Sequence, residues 1–398
     1  MKKVLFVVSN FNIGGPQKSL LNLINSMDRE KYSVDILSLY GKGQLHDYLP
    51  EDVNIVEPDI NHYLLTLPNP GLSFLKFLPR VNNFSAYKNL YRYIKGAIKG
   101  KFISSMNYSR QEYWLKYSKD LPRLNKSYDV AIGVSGGHSI MYVVDCVEAE
   151  KKIGWIRTDY RVLKRNATID KVYFDKLDKI ICVSHICRDI LTETFPSVIS
   201  NTEVMYNLLP TSLNVDAVDD NYLNYSGFKI LTISRLDPNK GLELGVAAVK
   251  DLLEKGVKVK WFILGTGSYY KKIQKLIKYY NLDDDIILLG FKLDTISYLR
   301  YCDLYFHPSK FEGKSNAIDE AKYCCKPIVT TNFPTVKEQV KDNYSGLVAN
   351  FDSTGISEKI EQVVRDKNVR SALVSNLRSE IKSEDESDKL NKFYNIIN

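Results

Sequence analysis

Short, largely apolar runs recur along this chain with helix-length intervals between them, and this pattern constrains the fold more tightly than any other feature. Residues 4–9, 34–40, 53–56, 130–134, 152–156 and 179–183 form one set of such runs. Residues 229–233, 259–264, 286–289, 304–306 and 327–330 form a second. Strands that lack polar alternation are buried on both faces, which is the condition of a parallel sheet covered by crossover helices. Helical periodicity near residues 242–254, 269–280, 295–301 and 316–324 supplies crossovers for the second set. The expected fold class is therefore α/β with two doubly wound sheets, and 398 residues suffice for two cores.

Residues 206–227 carry Asn, Pro, Ser and Asp without periodicity, so they are the expected linker. This divides the chain into domains 1–205 and 206–398. Ligands of doubly wound sheets bind beyond the carboxyl ends of the strands, so tandem sheets predict a cleft lined by strand-to-helix loops.

Composition narrows the class. At 44% hydrophobic and 26% charged, the chain sits in the globular range rather than the disordered or collagen-like ones. The longest uncharged stretch, residues 60–75, contains two prolines and falls short of the roughly 20 apolar residues of a spanning helix. The opening Met1-Lys2-Lys3 runs into only five apolar residues, too few for a signal-peptide core, so the expected location is cytoplasmic. Six cysteines show no Cys-x-x-Cys spacing and are expected to be reduced core thiols. The five histidines lack metal-ligand spacing, and Asp283-Asp284-Asp285 precedes a strand as a solvated turn would, so neither a metal nor a cofactor is expected.

The net charge of +8 is concentrated in one segment. Residues 61–126 hold 12 Lys or Arg against Glu112 and Asp120, a local +10 that leaves −2 for the rest. As a helix, residues 84–102 would gather Phe84, Tyr87, Tyr91, Ile94, Ile98 and Phe102 into an arc of roughly 80 degrees, flanked by Lys88, Arg92, Lys95 and Lys99. That pattern fits a helix on an anionic membrane surface and equally a helix packed on its own domain. No RNA-binding motif accompanies the charge, so no nucleic-acid partner is expected.

Two loops carry candidate chemistry. In residues 234–241, Arg235 and Lys240 stand five residues apart before Gly241, which suits a grip on a diphosphate; a solvated turn capped by Asp237 is the alternative. In residues 308–321, small residues at Gly313, Ser315 and Ala317 permit close backbone approach, and amides opening the next helix suit phosphate oxygens. Glu312 and Glu320 could each grip a vicinal diol. The alternative has Asn316 capping that helix and Asp319 completing a capping box.

Taken together, Glu312 and Glu320 with seven residues between them, Arg235 and Lys240 after a strand, and Gly14-Gly15 after the first strand resemble the retaining glycosyltransferases of family 4. Leu289-Gly290-Phe291 and the run 326–330 sit in register with that pattern, as do Asn207 and Gly346. The resemblance implies the GT-B fold: two Rossmann-like domains facing across a cleft, an N-terminal one for the acceptor and a C-terminal one for the nucleotide sugar, with the last helix packing back on the first. It implies sugar transfer from a nucleotide donor, expected to be a UDP-sugar, with anomeric configuration kept and without a metal. The acceptor would be a glycan or lipid-linked molecule in surface polysaccharide synthesis, which adds peripheral contact with the inner membrane face through residues 84–102 to the expected location. Arg235 and Lys240 would neutralise the diphosphate, helped by amides around Lys314, Ser315 and Asn316. Glu312 would hold the donor sugar, Glu320 the ribose, the region of Phe291 and Lys292 the base, and Gly15 would let backbone approach. Where the family has a donor-facing histidine this chain has Arg157, with His138 as a substitute. That departure keeps a second expectation open: a non-catalytic homologue acting as a partner or stabilising subunit.

Overall fold

The computed structural model describes residues 1–39, 41–57, 106–118, 123–209, 218–381 and 386–398. They form two compact units, residues 1–208 with 387–398, and residues 209–386. In the first, β1 (Lys2–Val8), β2 (Tyr32–Ser38), β3 (Asn54–Val56), β4 (Ser127–Val134), β5 (Glu148–Ile156), β6 (Lys179–Cys182) and β7 (Thr202–Val204) pair in parallel in the order β3-β2-β1-β4-β5-β6-β7. In the second, β8 (Phe228–Ile233), β9 (Val259–Leu264), β10 (Ile286–Gly290), β11 (Leu304–His307), β12 (Ile328–Thr331) and β13 (Leu347–Ala349) pair in parallel in the order β10-β9-β8-β11-β12-β13. Both are doubly wound, with the order reversing beside β1 and β8 respectively.

Burial explains why the strands do not alternate. In the second unit Ile230, Trp261 and Ile263 enter one hydrophobic cluster, while their neighbours Leu231, Phe262 and Leu264 enter the cluster on the opposite face. The helix Leu242–Glu254 buries Leu242, Val246, Val249 and Leu252, a helical stripe, in the first of these clusters. Each fully buried side chain of this size contributes roughly 1.5–3 kcal/mol. In the first unit Val4 to Val7 of β1 are wholly buried. The C-terminal helix Glu386–Ile397 seals that unit, its Phe393 ring lying 6.2 Å from Phe6 and 6.3 Å from Trp155.

The structure departs from or adds to these expectations in three places. The presumed linker is partly core: Tyr222, in the helix Asp220–Asn224, is wholly buried and donates its hydroxyl to the Tyr298 carbonyl at 2.7 Å. Its polar neighbours hid it, because Asp219 is spent as the helix cap. Strands β7 and β13 have three residues each, too short to register as periodic runs. Within the basic segment, the helix Met106–Tyr117 packs on the first unit, where buried Trp114 donates to Asp145 at 2.8 Å and Gln111 accepts from the Asn166 amide at 2.7 Å. The amphipathic stretch 84–102 lies outside the described residues. Among those described, no helix is long and apolar enough to cross a membrane. Four cysteines, Cys146, Cys182, Cys187 and Cys302, are buried, while Cys324 and Cys325 are half-buried.

Candidate active site

In the second unit β8 and β11 are neighbours, and their outgoing connections diverge, which opens a crevice at their carboxyl ends. The loops 234–241 and 308–315 both leave the sheet there. Asp237 caps the turn Pro238–Lys240 by accepting from the Asn239 amide, and Gly241 closes it with φ of 61°. A Cβ at Gly241 would stand 2.1 Å from the Pro308 carbonyl oxygen, so glycine is what lets the loops touch. The Lys310 amide donates to the Asn239 carbonyl at 2.8 Å and ties them together.

That contact brings Lys240 to Glu312, with Nζ 2.7 Å from Oε1. The same oxygen accepts from Ser309 Oγ at 2.8 Å and from His307 Nε2 at 3.0 Å, while the Tyr305 hydroxyl lies 2.9 Å from His307 Nδ1. Burial holds the His307 pKa below its ordinary value, outweighing the pull of Glu312, and burial raises Tyr305 well above its own. A neutral imidazole beside a protonated phenol fixes the tautomer: Tyr305 donates to Nδ1, and Nε2–H donates to Glu312. Burial pushes the Glu312 carboxyl up, but the Lys240 ammonium and the His307 hydrogen bond more than offset it and hold it well below the usual range. The result is a carboxylate ionised at neutral pH whose described partners all converge on Oε1. Among the described residues no hydrogen bond falls on Oε2.

The other anticipated residues of this unit are distributed around that centre. Arg235 is 61% exposed and 3.3 Å from Asp237, a surface pair that contributes little. Lys314 is tied to Asp319 at 2.5 Å. The helix Asn316–Tyr323 is capped by Ser315 rather than Asn316, with Ser315 Oγ accepting from the Ile318 amide. The Ser315 amide donates to Gln339 Oε1 at 2.8 Å, and Gln339 Nε2 donates to the Ser315 carbonyl and to Asp319, each at 2.8 Å. Thus the Ser315 amide is engaged by Gln339 and the Lys314 side chain by Asp319. Glu320 is buried and accepts from Thr295 Oγ1 at 2.6 Å. Phe291 is half-buried just past Gly290, whose φ of 72° turns the chain out of β10.

In the first unit Gly15 opens the helix Gly15–Ser26 beyond β1. His138 begins the helix His138–Cys146; burial drives its pKa down to about 3, so it is a neutral packed side chain, 5.4 Å from the Trp114 ring. Arg157 follows β5, 6% exposed, with its guanidinium 3.9 Å from the Trp155 ring and Nη1 donating to Asn207 Oδ1 at 3.0 Å.

Tyr305, His307, Ser309 and Gln339 are site residues that sequence reasoning missed. The signal for His307 was available, since a histidine ending an apolar strand stands at the mouth of the sheet. Gln339 had none, because its partner Ser315 is 24 residues away.

Residues 219–380 match the family described as Glycosyl transferases group 1. A glycosyltransferase of Methanocaldococcus jannaschii, itself uncharacterized, is 29% identical over 202 residues, covering 50% of this chain and 53% of the relative. The N-acetylgalactosamine-N,N'-diacetylbacillosaminyl-diphospho-undecaprenol 4-alpha-N-acetylgalactosaminyltransferase of Campylobacter jejuni is 26% identical, covering 55% of this chain and 60% of the relative. The chain thus matches somewhat more than half the length of these relatives. In fold it is similar to the crystal structure of Anabaena HepE in complex with UDP-glucose, with a TM-score of 0.70 at 15% identity, covering 99% of both chains. The fold is that of the GT-B glycosyltransferases.

Proposed function

We propose that this protein is a retaining glycosyltransferase that moves a sugar from a UDP-sugar to a glycan or lipid-linked acceptor of surface polysaccharide synthesis. One observation carries the reading: Lys240 and Glu312, from two loops at the switch point of the second unit, stand 2.7 Å apart, with the Glu312 pKa held well below its ordinary value. When a glycosyl–phosphate bond breaks, positive charge develops on the sugar ring and negative charge on the departing diphosphate. A fixed ammonium and a fixed carboxylate side by side complement both. Lys240 supports the β-phosphate and the exposed Arg235 guanidinium completes the grip. Glu312 Oε2 receives a donor-sugar hydroxyl and the carboxylate field favours the oxocarbenium-like ring.

The surrounding groups have defined tasks in this scheme. His307, Ser309 and Tyr305 keep Glu312 oriented and charged. Glu320 takes the ribose hydroxyls and Phe291 borders the base, while Gly15 lies in the unit that receives the acceptor. Support comes from the matched family, from the lipid-diphosphate substrate in the name of the Campylobacter relative, and from the UDP-glucose complex of the Anabaena protein. The same chemistry uses protein cations where a metal could otherwise serve, and a lipid-linked acceptor would bring the enzyme to the cytoplasmic membrane face.

The test is thermal stabilisation by UDP and a panel of UDP-sugars, followed by UDP release with a lipid-diphosphate acceptor. At 100 times its Kd a ligand stabilises by about 2.7 kcal/mol. Stabilisation by UDP with sugar transfer is the expected result. No stabilisation by any nucleoside diphosphate or its sugars contradicts the reading. UDP binding without transfer or donor hydrolysis would favour the partner-subunit alternative, whose motive is Arg157 in place of histidine.

A further inference from the structure

Three arginines of the first unit invite comparison. Arg161 places Nε and Nη2 against the two carboxylate oxygens of Asp159, at 3.1 to 3.2 Å and 2.7 Å. Arg165 places the same two nitrogens against Asp170, at 2.7 and 2.5 Å. Nε–H and Nη2–H share one edge of the guanidinium, a planar fork that matches the two oxygens of a carboxylate or phosphate. Arg157 lies close by in the chain and is 6% exposed, yet on this same edge both Nε and Nη2 are buried with no hydrogen-bond partner among the described residues.

The rest of Arg157 is fixed. Its plane lies against Trp155, and Asn207 accepts from Nη1, the nitrogen off the fork. Asp159, the nearest acid in sequence, is fully engaged by Arg161. Removing two guanidinium donors from water without a partner is costly, and burial lowers the Arg157 pKa only to about 9, so the charge is retained at neutral pH. The neighbouring backbone is also unusual. β4 pairs with β5 up to Val134 and Trp155, so the loop after β4 leaves the sheet beside Arg157. That loop runs through three residues of positive φ, Ser135, Gly136 and Gly137, the first being a non-glycine in a strained conformation. It opens the helix His138–Cys146 with no side-chain cap on its first amides.

From this we infer that the Nε/Nη2 edge of Arg157 is a binding site for an oxyanion carried by the substrate, a carboxylate or phosphate taken bidentately at the carboxyl end of β5. The inference rests on the glycosyltransferase reading and narrows its substrate class: either the donor sugar is acidic, or the acceptor presents a phosphate to the first unit. Histidine at this place could offer one hydrogen bond; the arginine offers two parallel ones and a charge.

Isothermal titration on the whole chain separates these cases. UDP alone, UDP-glucose, UDP-glucuronate, a short-chain polyprenyl diphosphate-linked sugar and the corresponding neutral polyprenyl glycoside are titrated into wild type, Arg157→Lys and Arg157→Gln. If the anion belongs to the donor, UDP-glucuronate binds wild type roughly 10- to 100-fold tighter than UDP-glucose. If it belongs to the acceptor, the diphosphate-linked probe shows that preference over the corresponding neutral glycoside. In either case Arg157→Gln abolishes the preference, Arg157→Lys restores only a minor part because it lacks the fork, and the affinity for UDP alone stays within about twofold. UDP binding with no anion preference in wild type overturns this inference while leaving the broader function intact, and assigns the fork to ordered water. Failure of UDP to bind wild type is the separate failure of the function itself. Where Arg157→Gln does not fold, the reduced preference of Arg157→Lys carries the assignment, and an absent preference in wild type overturns it without any variant.

Discussion

Lys240→Met removes the ammonium and keeps the aliphatic stem, so it isolates the charge at the centre of the site. Two effects compete in free energy. In the resting protein Glu312 loses one of three described donors on Oε1 but keeps His307 and Ser309. Breaking a fully buried pair costs about 3–5 kcal/mol. Here both side chains keep 13–15% exposure and two hydrogen bonds survive, so about 1–2 kcal/mol is the better figure. For a unit of this size that lowers Tm by roughly 2–8 °C. In the transition state the missing cation no longer faces the developing diphosphate charge, a loss of about 2.7–4 kcal/mol or 10²- to 10³-fold in kcat. The second effect exceeds the first, so the variant should be folded and nearly inactive at 25 °C. UDP release under saturating donor gives kcat, and calorimetry gives Tm. A kcat within threefold of wild type, or inactivity explained wholly by unfolding, refutes the reasoning.

Further outcomes follow from the same geometry. Gly241→Ala forces a Cβ to within 2.1 Å of the Pro308 carbonyl at a positive φ, so it should cost about 1–3 kcal/mol in thermal unfolding and reduce kcat by separating Lys240 from Glu312. Gln339→Leu removes the side chain bridging Ser315 and Asp319; about 2–3 kcal/mol of stability should go, with a rise in KM for the donor that donor titration would detect. Glu312 has a depressed pKa, so between that value and the ordinary 4.5 the unfolded state binds more protons; its stabilisation is complete above 4.5 and is lost as pH falls below it. His307 is also depressed, so its contribution is complete above 6.5 and declines below. Thermal melts from pH 8 to 2 should therefore flatten below 4.5 in Glu312→Gln and between 6.5 and the acid limb in His307→Gln; unchanged profiles would remove both from the charge network.

What could be read in advance divides along physical lines. Apolar runs buried on both faces announce parallel strands locally, so β8, β9 and β11 were legible almost to their ends, whereas β7 and β13 are held by neighbours rather than by their own three residues. Arg235 and Lys240 share one loop and could be seen together. The meeting of Lys240 with Glu312 spans 72 residues and depends on Gly241 admitting the Pro308 carbonyl, which no local pattern encodes. The helix cap slipped by one residue because Ser315 and Asn316 are both good caps, and Gln339, by occupying the Ser315 backbone, leaves that serine's side chain as the cap. Arg157 was visible only as a departure; that its fork stays unpaired while those of Arg161 and Arg165 are filled required three dimensions.

The most direct test is the position of UDP in a crystal of the complex. The account predicts the β-phosphate at the carboxyl ends of β8 and β11, with one oxygen about 2.7–3.2 Å from Lys240 Nζ and Arg235 turned from Asp237 towards it. A diphosphate bound elsewhere, with Lys240 paired only to Glu312, would contradict it.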